Sequence, residues 1–205
     1  MHDEVDGPAR DDTVRAGVRE RILDTAAELF YQEGVRAVGV DLIVDRSRVA
    51  KTSLYRHFET KDLLVVAVLE RDDVTYWQRW DEIARQGHDD ARSELEAHFR
   101  WIADYIAQPM YRGCPFLNVA TEFPSDGHPA RAVAVRHKTE LRRRLGALVA
   151  EVGGGDPNAL ADQLVLLIDG AYANGQLLGG QGSAPSLVPA ALALLSMAID
   201  PQGNA

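Results

Sequence analysis

The chain has 205 residues and a formal net charge of -9. That length suits one compact domain or two small ones, with enough apolar residues for a sizeable core. The acidic balance excludes a protein that coats nucleic acid by bulk charge. The single cysteine, Cys114, excludes an intramolecular disulfide and fits a reducing cytoplasm. No apolar run approaches the roughly 18–20 residues needed to cross a bilayer. Met1-His2-Asp3-Glu4 is acidic and polar, without a signal-peptide pattern, so a cytoplasmic location is expected.

The charge is unevenly placed. Residues 10–61 carry ten basic against nine acidic side chains, whereas residues 62–205 carry twelve against nineteen. The acid therefore lies mostly outside the segment in which Arg46, Arg48, Lys51, Arg56 and Lys61 cluster.

Helical spacing dominates and strand-like alternation is nearly absent, so the predicted fold class is all-α. Residues 1–12 read as a disordered polar arm. A first helix starts at about Thr13 or Ala16 and ends at Glu33, with Ile22, Ala26, Leu29 and Phe30 on one face and Gly34 as a natural terminator. Short helices follow over about Val40–Arg46 and Lys51–His57. Thr60 then caps a long helix that reaches about Arg85, and some 24 residues at 1.5 Å each span roughly 36 Å. A fifth helix covers about Ala91–Gln108. Tyr111–Pro124 reads as an irregular apolar segment. Further helices run from Pro129 to about Val152, from Asp156-Pro157 to about Leu178, and over about Leu187–Ile199, with Gly153-Gly154-Gly155 and Gly179–Ser186 as the joints. The domain division expected from this pattern is a 1–12 arm, a 13–60 helix-turn-helix DNA-binding domain and a 61–200 helical ligand-binding and dimerisation domain.

Three helices joined by short turns are the tri-helical form of helix-turn-helix. The major groove admits one helix and is read by hydrogen bonds to base edges. Lys51, Thr52 and Ser53 begin the third helix, where side chains reach bases. Tyr55 and Lys61 are better placed for phosphates, with Lys61 as the anchor. Arg48, Arg56 and His57 complete the candidate DNA-facing set.

Two strings make this pattern specific. Ile22-Leu23-Asp24-Thr25-Ala26-Ala27-Glu28-Leu29-Phe30, then Glu33-Gly34, resembles the first helix of TetR-family regulators. Val49-Ala50-Lys51-Thr52-Ser53-Leu54-Tyr55-Arg56-His57-Phe58, then Lys61-Asp62-Leu63-Leu64, resembles that family's recognition helix and its exit. The resemblance covers about residues 16–66. It implies a two-domain homodimer that binds double-stranded operator DNA and carries a variable C-terminal domain for a small molecule. Two positions depart from the family pattern. Ser47-Arg48 stands where a small residue and then Gly are usual, so either the turn is reshaped or Arg48 offsets a strained backbone with a phosphate contact. Gly39 stands where Ser or Thr would cap the second helix.

The last helix is apolar almost all round and must be covered on two sides. One side is its own core; the other is the last two helices of a second subunit. Candidate ligand-binding groups are Trp101, Tyr105, Phe116, Asn118, Glu122, His137, Asp169 and Tyr172, because pockets are mostly apolar with a few polar groups. Cys114 reads as a small buried residue, with redox sensing as the alternative.

There is no phosphate-binding glycine loop and no nucleophile elbow, and the six histidines show no metal-ligand spacing. No catalytic site, metal or cofactor is therefore expected. His98, four residues after Glu94, reads as solvated surface. The functional expectation is a repressor released from a palindromic operator by a small-molecule effector. The alternative is a helical small-molecule binder or enzyme with a vestigial DNA-binding module.

Overall fold

The computed structural model describes residues 9–153, 155–179, 182 and 184–199. Residues 1–8 of the expected arm, Gly154, Gly180, Gln181, Ser183 and the side chain of Ile199 lie outside them. Among the described residues the chain forms nine helices and no strand: α1 Ala9–Glu33, α2 Val40–Ser47, α3 Lys51–His57, α4 Lys61–Ala84, α5 Ala91–Ile106, α6 Pro115–Glu122, α7 Pro129–Val152, α8 Pro157–Leu178 and α9 Ala184–Ile199. The all-α expectation holds, and α3 and α7 have the expected bounds. Three expectations need correction. α9 begins at Ala184, so residues 184–186 of the expected joint are helical. α1 begins at Ala9, so residues 9–12 of the expected arm are helical. Residues 115–122 are a helix and not an irregular stretch. Pro115 suits the first position of α6 because its ring pre-sets the backbone angle and its missing N–H is not needed there. Cys114 O accepts from Asn118 N (3.0 Å), and Phe116 and Val119 bury one face at helical spacing.

Two compact units divide the chain. One comprises residues through Arg71 together with Val119–Val133; the other comprises Asp72–Asn118 and residues from Ala134 onward. In the first unit α1, α2 and α3 pack on one another. Ile22, Ala26, Val38, Ile43, Leu54 and Leu64 are sealed in its core. Phe58 closes it just after α3, with the Arg19 guanidinium 5.2 Å from its ring centroid. Thr60 caps α4 by accepting from Leu63 N (3.1 Å).

In the second unit α9 packs on both α5 and α8, and α5 also meets α8. Asp90 starts α5 with a reciprocal capping box: its carboxylate accepts from Ser93 N (2.7 Å) while Ser93 Oγ accepts from Asp90 N (3.2 Å). Asp156 caps α8 by accepting from Asn158 N (2.9 Å), with Pro157 at the first helical position. Gly175 lets α8 lie against Ile106, since a Cβ there would stand 2.2 Å from Ile106 Cγ2.

The turn between α2 and α3 is not reshaped. Arg48 occupies the left-handed region at φ 55°, ψ 42°, the only non-glycine residue with positive φ among those described. Its N–H reaches Asp45 O and the Val49 N–H reaches Val44 O (3.3 and 3.4 Å), which closes the end of α2. An L residue there costs about 1 kcal/mol from the crowding of Cβ against the backbone. Arg48→Gly is therefore expected to raise the unfolding free energy by up to about 1 kcal/mol, less the extra freedom it gives the unfolded chain. Urea unfolding checks this, and a variant destabilised by about 1 kcal/mol, the full entropic cost of glycine, would show that the left-handed arginine is not strained.

Candidate nucleic-acid interface and ligand site

α3 is seven residues long, too short to persist alone in water. It is held by Leu54, which is fully buried, and by Phe58 immediately after it. That anchorage leaves Lys51, Thr52, Tyr55 and Arg56 exposed and Ser53 and His57 half-buried. Tyr55 is 42% exposed, so it is a surface aromatic and not part of the small core. Arg48, just before the helix, is exposed as well. The structure thus brings seven of the eight predicted DNA-facing residues to one short stretch, mounted from behind on apolar contacts. Lys51 Nζ donates to Asp41 Oδ1 of α2 (2.6 Å), which ties the start of α3 to the start of α2.

Lys61 is placed differently. Its ammonium is turned inward, donating to Val35 O (2.5 Å) and lying 5.9 Å from the Phe30 ring centroid. Desolvation lowers its pKa, against the opposing influence of Glu122 and Asp62. Glu122, a predicted ligand group, belongs to this same unit. Its carboxylate accepts from Val35 N (3.0 Å) and Arg36 N (2.7 Å).

The other predicted ligand groups lie in the second unit, around residues that sequence reasoning missed. Tyr76 on α4 is the hub: its ring centroid lies 4.8 Å from Trp101 and 4.7 Å from His137. Phe116 stacks on His137 at 3.7 Å. Asp73 Oδ1 faces both Trp77 Nε1 (2.7 Å) and His137 Nδ1 (2.8 Å), so the imidazole donates from Nδ1 to a carboxylate that only accepts. Around Tyr172, the Tyr111 hydroxyl donates to Tyr172 O (3.0 Å) and Tyr105 meets Tyr111 edge-on. Lys138 pairs with Asp169 while lying 5.5 Å from the Tyr172 ring centroid. Asn118 donates from Nδ2 to Arg112 O (2.8 Å). The missed signal was the spacing Asp73, Tyr76, Trp77, Trp80, which puts two i,i+4 pairs on one helix.

Burial governs the chemistry of this unit. It pushes the phenols of Tyr76 and Tyr172 well above their ordinary value, with Cys114 adding to the effect in both, and it raises the Cys114 thiol against the opposing charge of Lys138. Cys114 is thus a small buried side chain disfavoured as a thiolate. Burial lowers His137 against the pull of Asp73. His98 corrects an expectation: it is 1% exposed, not solvated, and stacks on Trp80 at 3.6 Å. Desolvation, with His88 and Arg144 adding to it, lowers its pKa to about 3.

These buried imidazoles make stability depend on pH. Below about 6.5 the unfolded chain protonates His98 while the folded chain resists until about 3, so stability falls as pH drops through that window. The loss is of the order of a few kcal/mol. Thermal unfolding at stepped pH checks it: His98→Phe, which keeps the ring stack, should flatten the decline between pH 6.5 and 4.5. An unaltered slope would remove His98 as its source.

Among the described residues, no helix is long and apolar enough to cross a membrane, and no group of three or more His, Cys, Asp or Glu could hold a metal ion. An all-helical chain that mounts a short polar helix on a packed tri-helical core carries a helix-turn-helix module of the DNA-binding kind. Residues 22–68 match the family described as "Bacterial regulatory proteins, tetR family", and residues 91–185 match "Tetracyclin repressor-like, C-terminal domain". The chain belongs to the TetR family of DNA-binding regulators, whose members are not enzymes. It is similar to SCO4454, a TetR-family transcriptional regulator from Streptomyces coelicolor, at 33% identity and a TM-score of 0.85, covering 89% of this chain and 96% of that one. It is also similar to the regulator YjdC of Escherichia coli, at 22% identity over 74% of this chain and 80% of the relative. The transcriptional repressor KstR2 of Rhodococcus jostii is 37% identical over 44% of each chain.

Proposed function

We propose that this chain is a homodimeric repressor that acts in the cytoplasm and is released from a palindromic operator by a small-molecule effector. The observation that carries the DNA-binding half is the exposed, polar face of α3 held from behind by the fully buried Leu54. Lys51, Thr52 and Ser53 read base edges, and Arg48, Tyr55, Arg56 and His57 meet phosphate. The strained backbone of Arg48 supports its part, since such strain is retained where a side chain is needed. Lys61 acts through the peptide it holds and not as a phosphate anchor. Repression follows the named activity of the relative KstR2.

Dimerisation is supported by apolar residues on α8 and α9 that the chain leaves in solvent. Leu166, Leu177 and Met197 are all more than half exposed, and Leu166, Gly170, Ala173 and Leu177 follow one helical stripe. A twofold pairing would cover that stripe, and two recognition helices that enter successive major grooves must lie about 34 Å apart. The effector site is the aromatic assembly of Tyr76, Trp101, Tyr105, Phe116, His137 and Tyr172, with Asp169 and Asn118 as polar groups. An effector acts there if it binds the DNA-free arrangement more tightly than the DNA-bound one.

Selection from random-sequence duplexes by the purified protein tests the reading. A palindromic duplex bound at submicromolar protein in moderate salt is expected, and no enrichment would refute the repressor. Lys51→Ala and Tyr55→Ala should each weaken binding to that duplex about tenfold, the loss of one good contact. Unchanged affinity in both would overturn the contact assignment. Leu166→Glu with Leu177→Glu is expected to give a folded monomer by light scattering; a persistent dimer would place the interface elsewhere.

A further inference from the structure

The turn between α1 and α2 is held by charged side chains from distant parts of the chain. Gly34 ends α1 at φ +89°, its N–H returning to Phe30 O (3.1 Å). The next two amides, Val35 and Arg36, then face one carboxylate, that of Glu122, at 3.0 and 2.7 Å. Successive backbone N–H groups converging this way form a concavity that suits an anion. The glutamate is grasped in return, since Arg36 Nη1 donates to Glu122 O (3.4 Å). Lys61 Nζ takes the Val35 carbonyl at 2.5 Å, so the polar N–H and C=O of Val35 are both bound by ionised side chains. Hydrogen bonds to charged groups are about twice as strong as neutral ones, and here they act on backbone.

The placement is unfavourable for the helix that supplies it. Glu122 is the last residue of α6, where the helix dipole disfavours negative charge. What the carboxylate fixes is the turn, and α2 begins at Val40, four residues past Arg36. In helix-turn-helix docking the helix before the recognition helix crosses the DNA backbone, so its bearing sets the register of the reading helix.

We propose that Glu122 is a positioning residue for DNA binding: its carboxylate, seated on the Val35 and Arg36 amides, sets the α1–α2 turn and thereby aligns α2 and α3 on DNA. The proposal rests on the reading of α3 as the helix that enters the groove. It gives a residue within the matched C-terminal domain, residues 91–185, a part in operator recognition. The compact unit that holds the helix-turn-helix includes Val119–Val133.

The test compares wild type with Glu122→Gln, which keeps shape but loses charge, and Glu122→Ala, using the duplex selected by the wild-type protein. Both variants are expected to bind that duplex at least tenfold more weakly. Their affinity for a random duplex and the salt dependence of binding should stay at the wild-type value, because Glu122 meets no phosphate. Glu122→Asp, one methylene shorter, should recover part of the loss. A separate measurement needs no DNA: hydrogen exchange at the Val35 and Arg36 amides is expected to quicken at least tenfold in Glu122→Gln. Unchanged exchange at both amides would overturn the proposal. So would wild-type operator affinity in both variants, or an equal loss on specific and random duplex, which marks general unfolding. If the wild-type protein selects no duplex, it is the DNA-binding reading that fails, and the exchange result still decides whether Glu122 holds the turn.

Discussion

A two-turn helix has no conformation of its own in water, and everything this chain does on DNA depends on how that shortage is met. α3 carries one fully buried side chain, Leu54, with Phe58 directly behind it. Burying such side chains is worth about 1.5–3 kcal/mol each, enough to hold seven residues in place only because α1 and α2 are already packed to receive them. The polar side chains stay in solvent because the single apolar anchor fixes which side faces in. The recognition surface is therefore a by-product of the core, and its orientation is only as good as the α1–α2 and α2–α3 turns that lead into it.

Those turns are where the chain departs from easy backbone. At one, Arg48 takes a conformation that favours glycine and retains a long charged side chain in it. At the other, Glu122 and Lys61 bind the Val35 peptide from both ends. The first is backbone strain of the kind kept at functional sites; the second sets a carboxylate at the end of α6, where the helix dipole disfavours it. The second unit carries a different kind of cost. Its interior holds His98, His137, Tyr76 and Tyr172; burial lowers the two imidazoles, so they stay uncharged near neutrality, and moves the two phenols further above it. A neutral, aromatic, hydrogen-bonding interior suits the effector site proposed for this unit.

Much of the first unit was legible because its signals are local. Ile22, Ala26, Leu29 and Phe30 repeat at helical spacing, Gly34 stops the helix, and Thr60 caps the next, so periodicity and capping chemistry suffice. Pro157 after Asp156 marked α8 in the same way. α6 was not legible: eight residues between two prolines give too little periodicity to separate a helix from a loop. His98 was misread because Glu94 one turn earlier suggests a surface pair, whereas Trp80, which covers the ring, comes from another helix. The role of Glu122 could not be read at all, since its partner Arg36 lies 86 positions away and backbone amides leave no mark in a sequence.

Hydroxyl-radical footprinting on the duplex selected by the wild-type protein tests the central claim most directly. The account predicts two protected patches on one face of the DNA, centred about one helical turn apart, each lost together when Lys51 and Tyr55 are replaced by alanine. A duplex that is protected unchanged by that double variant, or a protein that protects no sequence, would contradict it.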